Sequence, residues 1–432
     1  MESLRVLELY SGIGGMHYAL KESGISAQVV AAVDINTTAN KIYRHNFPDT
    51  PVWNKTIEGI PLDDFNKLSF DMIMMSPPCQ PFTRLGLQGD VADPRCKSFL
   101  FILDLLPRLC KLPTYILLEN VKGFESSSAR DYLTKTLSGC GYTYQEIMIS
   151  PTNVGVPNSR LRYFLVAKMS AENSSIQTSA KGEAGGVTQW SSVSSPSEMM
   201  SSNYHTNGCS FSHVMDSEFP ERSSVLRSKC QNTDRPSEDN PNVHVLYKRE
   251  TQMDSQKKTD QNKNLSVQQI QDYLEPQMNI DMGLYLLKPK TLLRYGSILD
   301  IVQPHSRRSV CFTKGYGRYV EGTGSVLQCC MENEISSVFT NLDQLTEEEK
   351  LQKMLKLSLR YFTPREVANL MGFPQSFSFP EDISIIQQYR VLGNSLNVVV
   401  VSRLLQLMTS EHFGHSEGEE QFSVLENEYL CS

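Results

Sequence analysis

Along the first 168 residues, apolar and polar positions fall into two kinds of short run that alternate. Leu4 to Leu9, Gln28 to Val33, Phe70 to Met75 and Tyr115 to Leu118 are short and mostly apolar, which predicts buried strands. Met16 to Ser23, Thr37 to Asn46, Ser98 to Cys110 and Ala129 to Ser138 carry helical patterning, and Arg162 to Ala167 supplies another strand. Such alternation predicts an α/β fold with parallel strands joined by crossover helices.

The pattern then lapses. Residues 170–229 hold 17 serines and few large aliphatics, with clusters such as Gly185-Gly186 and Ser194-Ser195-Pro196. That composition cannot bury enough apolar area to offset chain entropy, so residues 172–264 are expected to be a disordered insertion that interrupts one fold. Order resumes near Gln268, with packed patterning from Leu284 to Leu293 and from Ile298 to Ile301. The Gly-, Tyr- and Thr-rich run from Cys311 to Leu327 suits β-loops. Thr363-Pro364-Arg365-Glu366 has the capping pattern of a helix start, with a stop at Gly372-Phe373-Pro374. A last apolar helix, Leu396 to Met408, should be buried on more than one face, against the first sheet.

Composition narrows the class. With 432 residues, 40% of them hydrophobic and 21% charged, the chain can bury a full core. Strand-like residues follow Met1-Glu2-Ser3 at once, which leaves no room for a signal peptide, and no run of about 18 apolar residues suggests a membrane span. The expected location is the cytoplasm, with the nucleus as a second compartment. Ten scattered cysteines without paired Cys-x-x-Cys spacing imply a reduced setting and no metal site. The net charge of −7 is uneven: residues 411–432, an acidic tail, carry six acids and no Lys or Arg, and residues 170–264 carry twelve acids against ten bases. The rest holds 31 bases and 30 acids, a near-neutral body compatible with a local basic groove.

Chemistry gathers at the ends of the expected strands, where open α/β sheets build sites. Leu9-Tyr10-Ser11-Gly12-Ile13-Gly14-Gly15 joins strand to helix through a turn that needs close backbone approach. Its glycine spacing departs from Gly-x-Gly-x-x-Gly, which argues against a nicotinamide dehydrogenase. Asp34 ends the second strand, placed to accept from ribose hydroxyls. Ser76-Pro77-Pro78-Cys79-Gln80-Pro81-Phe82 holds a cysteine on a proline-stiffened turn, a place for a nucleophile.

These segments, in this order, resemble the C5-cytosine methyltransferases. Tyr10 to Gly15 is similar to their first motif and Pro77-Pro78-Cys79-Gln80 to their nucleophile motif; Glu119-Asn120-Val121, Arg160-Leu161-Arg162 and Gly393-Asn394-Ser395 resemble their acid, paired-arginine and closing motifs. More narrowly, Cys311-Phe312-Thr313 and Lys122-Gly123-Phe124 resemble the branch that methylates a cytosine in the anticodon loop of aspartate tRNA.

The resemblance implies a Rossmann-like methyltransferase fold using S-adenosylmethionine, with a catalytic domain over 1–171 completed by 390–410 and a smaller target-recognition region over 265–389. It implies Cys79 as the thiolate that attacks carbon 6 of cytosine, Glu119 as the acid at N3, and Arg160 and Arg162 as partners of the cytosine carbonyl and a phosphate that help hold Cys79 ionised. Cofactor contacts would come from Tyr10, Ser11, Gly12, Ile13, Gly14, Gly15, Asp34, Ile35, Ile57, Glu58, Ser76, Pro78, Asn394 and Ser395. The loop from Pro81 to Cys96 is glycine-bearing and basic, so Arg84 and Arg95, with Lys122, are the expected RNA contacts. The expected partner is tRNA, with a monomeric enzyme. A DNA cytosine methyltransferase shares the whole catalytic set, and an inactive cofactor-binding scaffold is the alternative of another class.

Overall fold

In the computed structural model, which describes residues 3–82, 89–170, 188–189, 252–410 and 413, the expected strands form one face-alternating layer. The elements run β1 Leu4–Leu9, α1 Gly15–Glu22, β2 Ala27–Val33, α2 Thr37–Asn46, β3 Val52–Trp53, α3 Leu62–Leu68, β4 Met72–Met75, α4 Lys97–Leu105, β5 Tyr115–Val121, α5 Ser128–Gly139, β6 Tyr142–Ile149, β7 Arg162–Met169 and β8 Thr188–Gln189. After the insertion come α6 Gln252–Lys263, α7 Met282–Tyr285, α8 Pro289–Tyr295, β9 Ile301–Val302, β10 Val326–Gln328, α9 Ile335–Phe339, α10 Glu347–Leu355, β11 Leu359–Tyr361, α11 Pro364–Leu370, α12 Ile385–Asn394 and α13 Val398–Thr409.

The large sheet has the order β3-β2-β1-β4-β5-β7-β6-β8. Side chains two apart share a face, so Val6, Met72, Met74, Leu117, Phe164 and Val166 meet α1, α11, α12 and α13 on one side. Leu7, Leu9, Ile73, Met75, Leu118 and Leu165 meet α3, α4 and α5 on the other. Burial on both faces explains why the central strands read as continuous apolar runs.

Three expectations need correction. Strands β3, β2, β1, β4 and β5 are parallel, but β7 runs antiparallel to both β5 and β6, because only a single 3-10 turn, Pro151–Val154, lies between β6 and β7, too short to carry the chain back across the sheet. Strand β6 itself was not expected, although Tyr142-Thr143-Tyr144 and Ile147-Met148-Ile149 have strand-favouring residues. The insertion also ends earlier than 264. Helix α6 is tied to the fold by Lys258, whose Nζ lies 3.0 Å from Asp300 Oδ1, and by Asn262 Oδ1, which accepts from Arg307 N–H at 3.0 Å. The rest of the expected disordered segment, apart from β8, lies outside the described residues.

The second sheet, β11-β10-β9, packs with α8, α9 and α10 around Leu292, Val326, Val338, Met354 and Leu359. The recognition region was expected to run to 389, yet α11 and α12 insert Val367, Leu370, Tyr389 and Leu392 into the same core as α1 and α13. That core also takes in Val302, Phe312, Tyr316 and Leu327, so the recognition region and the catalytic layer share it. The Thr363 cap forms as expected: its side chain accepts from Glu366 N–H, and the Glu366 carboxylate accepts from Thr363 N–H at 2.9 Å. The span Ile385–Thr409 is 25 residues and apolar enough to cross a membrane by length and composition, but 67% of its window is buried inside the fold. It is split into α12 and α13 at Ser395 to Asn397, a packed core pair.

Candidate active site

A cavity of about 480 Å³ opens at the carboxyl ends of β1, β2, β4 and β5, closed from the far side by the start of β7 and by the α12–α13 junction. All four candidate catalytic residues line it, as does every expected cofactor residue except Gly14. Gly14 has φ 85°, caps α1, and would place a Cβ 2.6 Å from the Phe47 ring. Its role is to let the turn close. Of the expected RNA contacts, Arg95 lines the cavity, Lys122 is exposed but does not line it, and Arg84 lies outside the described residues.

The turn after β1 is held by Asp34. Its Oδ2 accepts from Gly12 N–H at 2.8 Å and its Oδ1 from Asn36 N–H at 2.7 Å. Burial raises the Asp34 carboxyl, and these backbone donors oppose the rise. Tyr10 sits at φ 56°, an unusual conformation for a residue with a side chain, and its hydroxyl donates to Ser98 Oγ at 3.0 Å. Ser11 Oγ is buried and has no hydrogen-bond partner among the described residues. Ile35 leaves 66% of its surface exposed at the cavity edge. An unpartnered hydroxyl and an uncovered aliphatic side chain in one cavity are features a bound molecule would satisfy.

Cys79 follows β4 and Glu119 lies within the neighbouring strand β5, and the register of the two strands sets Met75 beside Leu118. Arg162 starts β7 opposite Val121, two residues past Glu119, and its Nε lies 3.4 Å from Glu119 Oε1. Burial raises the Glu119 carboxyl pKa despite Arg162 and Arg160. Burial, then the Glu119 charge, raises the Cys79 thiol, while Arg162 and Arg160 pull it down. The arginines act on Cys79 in the direction expected of them, and burial outweighs them.

Arg160 lines the cavity and also binds backbone around it. It is 5% exposed, and its guanidinium donates to Phe312 O at 3.2 Å, Gly393 O at 3.3 Å, Ser395 O and Cys311 Sγ at 3.2 Å. It clamps the recognition region and the α12–α13 junction onto β7. The same arginine pair pulls the Cys311 thiol below its ordinary pKa against the effect of burial. Sequence reasoning used Cys311 only as a branch marker and missed Ser98, Lys55 and Val391 as lining residues. Only the Tyr10 bond reveals Ser98, since no local spacing marks it.

A family model described as C-5 cytosine-specific DNA methylase matches residues 4–410. The chain belongs to this family. Its membership makes the chain a methyltransferase and sets aside the dehydrogenase and the inactive scaffold. Among its relatives, a Homo sapiens protein named tRNA (cytosine(38)-C(5))-methyltransferase is 50% identical over 424 residues, covering 94% of this chain and all, 100%, of the relative. One of the same name from Spodoptera frugiperda is 36% identical, covering 94% of this chain and 99% of its own. A Dictyostelium discoideum relative named DNA (cytosine-5)-methyltransferase is also 36% identical, covering 95% of both. Among solved structures, a Spodoptera frugiperda DNMT2 mutant matches with TM-score 0.67 at 35% identity, over 94% of this chain and 100% of that one. The Schizosaccharomyces pombe Dnmt2 methyltransferase matches at TM-score 0.62 and 33% identity, over 94% and 98%.

Proposed function

We propose that this C5-cytosine methyltransferase acts on a cytosine of the tRNA anticodon loop, the position-38 cytosine of aspartate tRNA, with S-adenosylmethionine as methyl donor. The observation that carries the tRNA reading is the 50% identity, over nearly the whole of both chains, to the human tRNA (cytosine(38)-C(5))-methyltransferase. An anticodon-loop base is already partly unstacked, so drawing it into the cavity costs less than opening a duplex.

The cavity fits the cofactor. Asp34 would hold ribose hydroxyls, Ile35 and Ile57 the flat base, and Ser11 with Asn394 and Ser395 polar groups of the amino-acid end. When bound, the cofactor supplies an electrophilic methyl group. Carbon 5 of cytosine is a weak nucleophile, and Cys79 makes it a strong one by bonding to carbon 6. Glu119, held toward its protonated form by burial, donates a hydrogen bond to N3 and limits the charge that accumulates on the ring. A neutral Glu119 also removes the negative charge that opposes the Cys79 thiolate, so the two protonation states support one another. Arg162, beside Glu119, is well placed to face the base carbonyl. Once carbon 5 is methylated, loss of its proton and expulsion of Cys79 restore the aromatic ring.

Methyl transfer from labelled cofactor to aspartate tRNA, to that tRNA with the target cytosine replaced, and to duplex DNA tests the reading at one salt concentration. Label should enter only the intact tRNA and vanish with Cys79→Ala, whose cofactor affinity should stay near the parent value. Faster labelling of duplex DNA would replace the tRNA reading, and substantial turnover by Cys79→Ala would remove the covalent step.

A further inference from the structure

Register between β4 and β5 fixes Met75 beside Leu118, but Cys79 lies four residues beyond the ladder, on a turn the sheet does not hold. The nucleophile must nevertheless stay aligned with Glu119, because small displacements of reacting groups cost large factors in rate. Three contacts on the far side of Cys79 meet this need, and two use Gly123 and Phe124, to which the chemistry above gives no role.

The Phe82 ring stands edge-on to Phe124 with centroids 5.0 Å apart. Phe124 is 0% exposed and also packs on Tyr163, the neighbour of Arg162, at 5.0 Å. One buried ring therefore touches the segments that carry the thiol and the arginine, and it follows the strand that carries the acid. Gly123 adopts φ 111°, and a Cβ there would lie 2.8 Å from Phe82 O, so the two backbones meet at a distance only glycine permits.

The third contact comes from Asp90, on the other side of residues 83–88. Its Oδ2 accepts from Ser128 N–H at 2.6 Å and its Oδ1 from Ala129 N–H at 3.2 Å. These are the first residues of the 12-residue helix α5, whose own cap, Ser127, already accepts from Arg130 N–H. Asp90 thus adds a second, long-range cap, and it does so from φ 45°, a conformation that costs a non-glycine residue energy. A strained residue whose carboxylate satisfies two helix N-terminal donors is held there by that contact.

We propose that Phe124, Gly123 and Asp90 form a docking station that fixes the Cys79 segment against the Glu119 strand, and that Asp90 is a positioning residue for the nucleophile. The proposal rests on Cys79 and Glu119 being the reacting pair. Asp131, the acid in the first turn of α5 itself, pairs with Arg130 at 3.1 Å and so serves as the control for simple helix stabilisation.

The test uses full-length enzyme and aspartate tRNA carrying 5-fluorocytosine at the target position. Fluorine cannot leave as a cation, so the bond between Cys79 and carbon 6 persists and its rate of formation can be timed. Asp90→Ala should slow adduct formation and kcat by about tenfold or more while cofactor Kd stays within about twofold. Asp90→Asn, which keeps one acceptor, should fall between, and Asp131→Asn should leave adduct formation unchanged. Alkylation by iodoacetamide, read by mass spectrometry, should quicken at Cys79 in Asp90→Ala and stay constant at Cys140, which a general loss of stability would not produce. Gly123→Ala should repeat the slowing, and with Asp90→Asn it carries the test if Asp90→Ala does not fold. Unchanged adduct formation in these variants, or equal slowing by Asp131→Asn, overturns the docking station while leaving Cys79 as nucleophile. Absence of any adduct in the parent enzyme overturns the covalent reading itself, and the proposal with it.

Discussion

Replacing Arg160 separates two readings of the paired arginines. Its guanidinium bridges Phe312 O, Gly393 O and Ser395 O, which belong to segments that enclose the site, and a Cβ on Gly393 would come within 2.2 Å of the Thr313 carbonyl carbon. With Ala at this position, three largely enclosed carbonyls lose a charged donor. Leaving one buried acceptor unsatisfied costs ~1–3 kcal/mol, and with partial rehydration of the space vacated the sum should be ~3–5 kcal/mol. Arg160→Lys retains the charge but has one compact ammonium in place of a fork, so it should lose roughly half of that. Because Gly393 and Ser395 line the cavity, cofactor affinity should fall as well. Arg162 lies 3.4 Å from Glu119 and donates to Leu161 O at 2.8 Å, without reaching the three carbonyls that Arg160 holds, so Arg162→Lys should cost less stability than Arg160→Lys while lowering kcat. Urea unfolding, calorimetric titration with S-adenosylmethionine and steady-state methylation would be run on all three variants. If Arg160→Lys unfolded like the parent, bound cofactor equally well and lost only kcat, the clamp would be wrong and Arg160 would be a substrate contact.

Two further outcomes follow from buried carboxylates. Asp34→Ala removes the acceptor of Gly12 and Asn36 N–H groups as well as the expected ribose partner, so calorimetry should show S-adenosylmethionine affinity weakened by roughly 1–3 kcal/mol; an unchanged Kd would place the ribose elsewhere. Burial pushes Glu8 up to about 8 against the opposing Tyr43 hydroxyl, which donates to it at 2.6 Å. A raised carboxyl binds its proton more tightly in the folded state, so its effect favours folding at acid pH and is lost as pH rises from about 4.5 through 8. Glu8→Gln should therefore gain stability relative to the parent by a few kcal/mol at pH 9 and by little at pH 5, and equal gains in urea unfolding at both would refute the assignment.

The Leu4 to Leu9 and Thr37 to Asn46 elements form with the bounds their apolar periodicity predicts, because side-chain period and burial are local properties of the chain. The nucleophile and acid were legible for a related reason: Cys79 follows a buried strand and Glu119 stands near the carboxyl end of its neighbour, and strand ends in such a sheet point into one cleft. The direction of β7 was not legible, since it depends on whether a connection crosses the sheet or returns along it, a choice made by packing. Helix α6 was hidden because its sequence is polar apart from Met253, and it is placed by the distant Asp300 and Arg307.

The arginine pair marks the division most clearly. Its spacing determined that two guanidiniums would enter one site, but only the fold decided that Arg160 would bind backbone of residues 312, 393 and 395 while Arg162 would meet Glu119. Asp90 reads in the sequence as an ordinary loop acid until α5 presents free N–H groups beside it. The sequence by itself determined which residue types stand at the strand ends, and with them the chemistry. Tertiary structure decided which of those groups face substrate and which hold the frame, because hydrogen-bond partners far apart along the chain are assigned only when the chain has closed on itself.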